Sequence, residues 1–214
     1  MVFLDHLPQS QAPRRGPEEG DERQAPRRDD GPEEDAVRRQ ALFLGRFQGG
    51  RGLKNPFVIS REFDAPRERV WQAWTEPERL QQWFSPKGFS VIAAKLDLRT
   101  GGTYHYGMRM ADGKEMWGKW LIREVKRPER LVFINTFSDP QGGLTRHPFA
   151  PDWPAKMLST ISFAEKGKAT LLTIQWQPIE ASEAELKTFD AGRSSMTQGW
   201  SGTFENLTNY LGKG

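Results

Sequence analysis

Groups able to do acid–base or metal chemistry are few in this chain and widely spaced. The histidines are His6, His105 and His147, and no two stand at a spacing that would set both on one metal ion. The most suggestive pair is His147 with Asp152, where a carboxylate could orient an imidazole for general acid–base work. Pro148 and Pro151 lie between them, and such a spacing does not by itself bring the two side chains together. With no cysteine anywhere, thiol nucleophiles, thiolate metal sites and disulfides are excluded. Neither Gly49-Gly50-Arg51-Gly52 nor Gly101-Gly102 precedes a helix, so neither is a phosphate-cradling loop. Gly192-Arg193-Ser194-Ser195 lacks the strand-to-helix context of a nucleophile elbow. A hydrolase is not supported, and no catalytic residue, metal or cofactor is expected.

The remaining chemistry is aromatic. Eight tryptophans, thirteen phenylalanines and three tyrosines need burial, and their positions decide what they can line. Alternation along Thr103–Met110 puts Tyr104, Tyr106, Met108 and Met110 on one side, with His105 and Arg109 on the other. Along Glu115–Val125, Met116, Gly118, Trp120 and Ile122 share a face, and Lys119 belongs to water on the opposite one. Ser159, Ile161 and Phe163 face the same way as Leu172, Ile174 and Trp176. Trp74, Trp83, Tyr104, Tyr106, Met108, Trp120, Trp176 and Trp200 therefore form the candidate lining of an apolar cavity. Plain core packing is the alternative for each residue taken singly, because aromatics fill cores with or without a ligand. The connection Ser138–Pro154 is long for a link between strands, which suits a gate. Within it His147, Phe149 and Trp153 are the candidate gate residues.

The elements that hold these residues can be read in order. Val58–Phe63 is a β-type run, and Pro66 opens a helix whose Val70, Trp71 and Trp74 share a face. Pro77 restarts the chain into a second short helix with Leu80, Trp83 and Phe84. Phe89–Asp97, Thr103–Met110 and Glu115–Val125 follow as strands, joined by Gly101-Gly102 and by the hairpin signal Asp112-Gly113. Leu131–Phe137, Lys156–Phe163 and Thr170–Trp176 continue at hairpin spacing. Glu180–Glu185 reads as solvated charge at a helix start. Met196, Trp200, Phe204, Leu207 and Leu211 then step along one face of a long C-terminal helix. The expected class is α+β, a curved antiparallel sheet gripping that helix around an internal cavity.

The first fifty-odd residues have a different texture. Gln11–Arg15 returns as Gln24–Arg28, and Gly16–Glu19 returns as Gly31–Glu34, in a Pro-, Arg- and Glu-rich setting nearly free of apolar residues. Residues 1–54 read as a disordered tail and 55–214 as the folded domain. Asp35–Phe47 could form a short amphipathic helix that docks on a partner or membrane surface. Of 31 basic and 28 acidic residues, ten of each fall in residues 1–55. Such mixing is a solvated surface and not a nucleic-acid footprint, despite a pI of about 9.2. No stretch approaches the roughly 18 apolar residues of a membrane span. The N-terminus does not resemble a signal peptide, which leaves a cytoplasmic location as the expectation.

Several of these residues together resemble a known family. Phe63-Asp64-Ala65-Pro66, then Val70-Trp71, Ala73-Trp74-Thr75, Pro77-Glu78, Leu80 and Trp83-Phe84 are similar to the branch of the START-like (SRPBCC) superfamily named for the activator of heat-shock protein 90 ATPase. Gly101-Gly102-Thr103-Tyr104, Tyr106, Met108, Gly118, Trp120, Pro128–Phe133 and Gly199-Trp200 extend the likeness over residues 56 to 212. The resemblance implies a helix-grip, or Bet v-like, fold with a deep apolar cavity that in relatives receives lipids, polyketides or hormones. Its leading functional implication is binding of a small hydrophobic molecule. A second is contact with a chaperone, as in the eukaryotic namesake, although nothing here resembles that protein's separate N-terminal chaperone-binding domain. A third is a cyclase- or dehydratase-like enzyme using the same cavity, with Tyr104 or Tyr106 as acid and His147 as base.

Overall fold

The computed structural model describes residues 55–86, 88–148 and 150–213. The duplicated tail and the Asp35–Phe47 stretch lie outside the described residues. So does Phe149.

Strand β1 (Phe57–Phe63) leads into α1 (Arg67–Thr75) and α2 (Pro77–Trp83). Five strands follow as β2 (Phe89–Leu96), β3 (Thr103–Met110), β4 (Glu115–Lys126), β5 (Arg130–Ser138) and the two-residue β6 (Leu144–Thr145). Then come β7 (Met157–Lys166), β8 (Ala169–Pro178), α3 (Glu183–Ala191) and α4 (Arg193–Leu211). The sheet runs β1-β8-β7-β5-β4-β3-β2, antiparallel throughout, with β6 paired to the end of β5. This is the α+β helix-grip architecture that the order of apolar runs predicts. The hairpin at Asp112-Gly113 needs a left-handed residue, which Gly113 supplies at φ 87°.

Helices of nine and seven residues cannot stand alone in water, where about 12–15 residues are needed for marginal stability. Burial holds them in place. Trp71, Trp74, Leu80 and Trp83 are each almost wholly buried. A buried indole removes about 150–250 Å² from water, an upper-bound transfer gain of about 4–6 kcal/mol. Pro66 stands as N-cap just before α1, and Pro77 is the first residue of α2. The indole N–H of Trp83 donates to the Ala73 carbonyl at 2.9 Å, which fixes the second helix against the first.

On α4 the buried residues are Met196, Trp200, Thr203, Phe204, Leu207 and Leu211, the expected stripe with Thr203 added. Trp200 packs on Trp176 of β8 at 5.3 Å and Phe204 on Phe63 of β1 at 5.6 Å. One expectation fails at the segment before this helix. Glu185 is not solvated but buried, as the third residue of a separate helix, α3. Its carboxylate accepts from Ser182 N–H at 2.7 Å while Ser182 Oγ accepts from Glu185 N–H, a reciprocal capping box. It also pairs with Arg146 from the β6–β7 connection. The Ser182-Glu183-Ala184-Glu185 spacing was the available signal. Among the described residues no helix is long and apolar enough to cross a membrane.

Candidate functional site

Strand alternation sets the two faces of the sheet, and each face carries one aromatic–glycine pair across β3 and β4. Tyr106 of β3 lies opposite Gly118 of β4 and rests directly over it. A methyl group on Gly118 would fall within van der Waals contact of the Tyr106 hydroxyl and ring, with Cε2 only 2.9 Å away. On the outward face the pairing is reversed: Trp117 covers Gly107, with ring atoms 2.8 Å from where a Cβ would stand. Glycine at each position lets a large ring lie flat across the neighbouring strand.

All eight expected lining residues are buried. Seven of them are rings in one connected network. Tyr104 stacks on Tyr106 at 5.0 Å and meets Trp120 edge-on at 4.7 Å. Trp120 stacks on Phe133 at 4.1 Å. On the helix side Trp74 meets Trp83 at 5.0 Å and stacks on Trp200 at 6.2 Å. Phe84, at the C-terminal cap of α2, joins the two groups, lying 5.5–6.1 Å from Trp120, Tyr106, Trp83 and Trp74. Met108 is fully buried farther along β3, opposite Met116. Burial pushes the hydroxyls of both Tyr104 and Tyr106 well above the ordinary phenol range, so both stay protonated.

Polar satisfaction divides this interior. Trp83 has its carbonyl partner, and inward-facing Thr170 donates to Ala65 O at 2.7 Å. Trp74 Nε1, Trp200 Nε1, Asn135 Oδ1 and Ser159 Oγ are buried with no hydrogen-bond partner among the described residues. Ser159 is 0% exposed and stands in register between Phe133 and Trp176. Asn135 stands between Trp120 and Met157. Sequence reasoning placed Ser159 on this face but gave neither it nor Asn135 a role, and it missed Phe84 as the bridge. The signal was a polar residue interrupting the apolar alternation of β5 and of β7.

Of the candidate gate residues, His147 and Trp153 fall among the described residues. His147 is buried with its ring 4.6 Å from Phe137, and its Nδ1 accepts from Ala150 N–H at 3.1 Å. Asp152 is exposed. Trp153 packs on Phe189 of α3, with its ring 3.0 Å from where a Cβ on Gly192 would stand. Glu185 is held below the usual carboxylate range, first by the Ser182 backbone N–H and then by Arg146, so the Arg146 tie between this loop and α3 is ionic at neutral pH. Among the described residues no group of three or more acidic or histidine side chains could hold a metal ion. An open cleft of about 340 Å³ lies elsewhere, between Asp64–Arg67 and the Gly167–Ala169 turn, and exposes charged side chains.

A family model described as Activator of Hsp90 ATPase homolog 1-like protein matches residues 64–212. Similar solved structures include a crystal structure from Mycobacterium smegmatis at 27% identity and a TM-score of 0.59, covering 72% of this chain and 88% of that one. A solution structure from Arthrobacter aurescens shares 26% identity at a TM-score of 0.61, covering 74% and 87% of the two chains. A protein from Rhodobacter sphaeroides is 19% identical at a TM-score of 0.61, covering 77% and 97%, a likeness of fold alone. No functionally curated protein matches the chain.

Proposed function

This chain belongs to the Activator of Hsp90 ATPase homolog 1-like family, and on that footing we propose that its folded domain binds a small hydrophobic molecule between the sheet and α4. The observation that carries this reading is the pair of stacked indoles, Trp74 and Trp200, whose N–H groups are buried without partners. An unmet buried donor costs about 1–3 kcal/mol, a cost that an acceptor on a bound molecule would remove. The Arg146–Glu185 pair and Trp153 anchor the long loop to α3 beside this interior. Contact with a chaperone is the second reading and draws on the family description alone.

The test is native mass spectrometry of protein purified from its own host, followed by denaturing extraction of bound material. A small apolar molecule at one equivalent is expected. A bare protein mass, together with stimulation of an Hsp90 ATPase by the purified chain, would replace this reading by the second.

A further inference from the structure

The floor of this interior carries information about what it holds. Every buried inward residue of the five central strands β3, β4, β5, β7 and β8 is uncharged, and so are the buried residues of α4. Two of the floor residues, Asn135 and Ser159, have oxygens that no side chain or backbone group among the described residues meets. They sit on adjacent strands, since Asn135 pairs with Met157 and Ser159 with Phe133. That makes them diagonal neighbours on one face, with Cα atoms about 7–8 Å apart and side chains closer.

We propose that the bound molecule is uncharged and carries a hydroxyl group, received by Asn135 and Ser159 on the floor of the sheet. This rests on the reading above, that a hydrophobic molecule enters the interior. A hydroxyl satisfies both oxygens from a single atom, because it donates to Asn135 Oδ1 while accepting from the Ser159 hydroxyl. A ketone could accept from Ser159 but would leave Asn135 Oδ1 unmet. A carboxylate would bring a charge into a site where the described residues offer no buried counter-charge, which is strongly unfavourable. Arg61 on the edge strand β1 faces the same side, but it pairs with Leu172, four residues along β8 from Trp176, or about 13 Å. The floor therefore selects for neutral alcohols and phenols over fatty-acid anions.

The experiment uses three probes of one shape, 2-naphthol, naphthalene and 2-naphthoate, measured by equilibrium dialysis against the full chain near pH 7. Naphthol is expected to bind about 10–100-fold more tightly than naphthalene, as two hydrogen bonds to buried groups allow, with naphthoate weakest. Ser159→Ala and Asn135→Leu should each reduce the naphthol advantage while leaving naphthalene affinity unchanged. Ser159→Ala removes an unmet group, so it should fold and melt no lower than the parent, and it carries the test if the second variant misfolds. Equal binding of naphthol and naphthalene, an advantage that survives both substitutions, or preference for naphthoate would overturn the proposal while leaving hydrophobic binding intact. Failure of all three probes to bind would remove both.

Discussion

Replacing Gly118 by alanine tests the packing on which the whole interior depends. The added methyl would overlap the hydroxyl and ring of Tyr106, and that ring has little room to retreat. Tyr106 is 3% exposed, stacked on Tyr104 and abutted by Phe84. Overpacking of this kind costs about 1–3 kcal/mol, offset by the ~0.5–1 kcal/mol that alanine gains over glycine in a strand. Overlap this deep belongs at the upper end of that range, so a net loss of about 2–2.5 kcal/mol should lower Tm by about 4–10 °C for a domain of this size. Gly107→Ala is the internal control. Its neighbour Trp117 is only half-buried on the outward face, so the ring can swing aside and stability should change by no more than about 0.5 kcal/mol. The decisive measurement is a double-mutant cycle by urea unfolding. Tyr106→Ala alone should cost about 3–5 kcal/mol, yet combining it with Gly118→Ala removes the overlap and places a methyl in the hole. The double variant should therefore be about 1–3 kcal/mol more stable than the sum of the singles predicts. A Gly118→Ala protein that melts with the parent, or strict additivity in the cycle, would refute the crossing of Tyr106 over Gly118.

Two further outcomes follow from the titrating groups. Glu185→Ala should cost about 1–2 kcal/mol near neutral pH by loss of the reciprocal cap and the Arg146 pair. Because the folded pKa of Glu185 is depressed, that difference is fully present above the unfolded carboxylate value of about 4.3 and should shrink as pH falls below it, as read by urea melts across an acid series. Tyr104 and Tyr106 are raised, so the folded protein keeps protons that the unfolded chain gives up above about pH 10. Stability should then decline by up to about 1.4 kcal/mol per pH unit for each ring, with their phenolate absorbance at 295 nm appearing together with unfolding and not before.

Much of this molecule is legible in one dimension. The turn chemistry at Asp112-Gly113, the prolines at Pro66 and Pro77, and the period-two and helical runs specify the elements, because these signals act within a few residues. Alternation also placed Tyr104, Tyr106, Trp120, Trp176 and Ser159 on the inward face, since a strand sends successive side chains to opposite sides whatever its partners. The buried state of Glu185 is not set locally, because part of its environment is Arg146, distant in sequence, although the Ser182–Glu185 spacing signals the cap. The bridging position of Phe84 was likewise closed to local reasoning. What tertiary structure alone decided is which polar groups find partners. Trp83 and Trp74 look alike in the sequence, yet one indole reaches a carbonyl and the other reaches none. Asn135 and Ser159, 24 residues apart in the chain, become neighbours only through the β5–β7 register. Hydrogen-bond satisfaction depends on distances of a few tenths of an ångström between segments far apart in the chain, and local pattern carries no information at that scale.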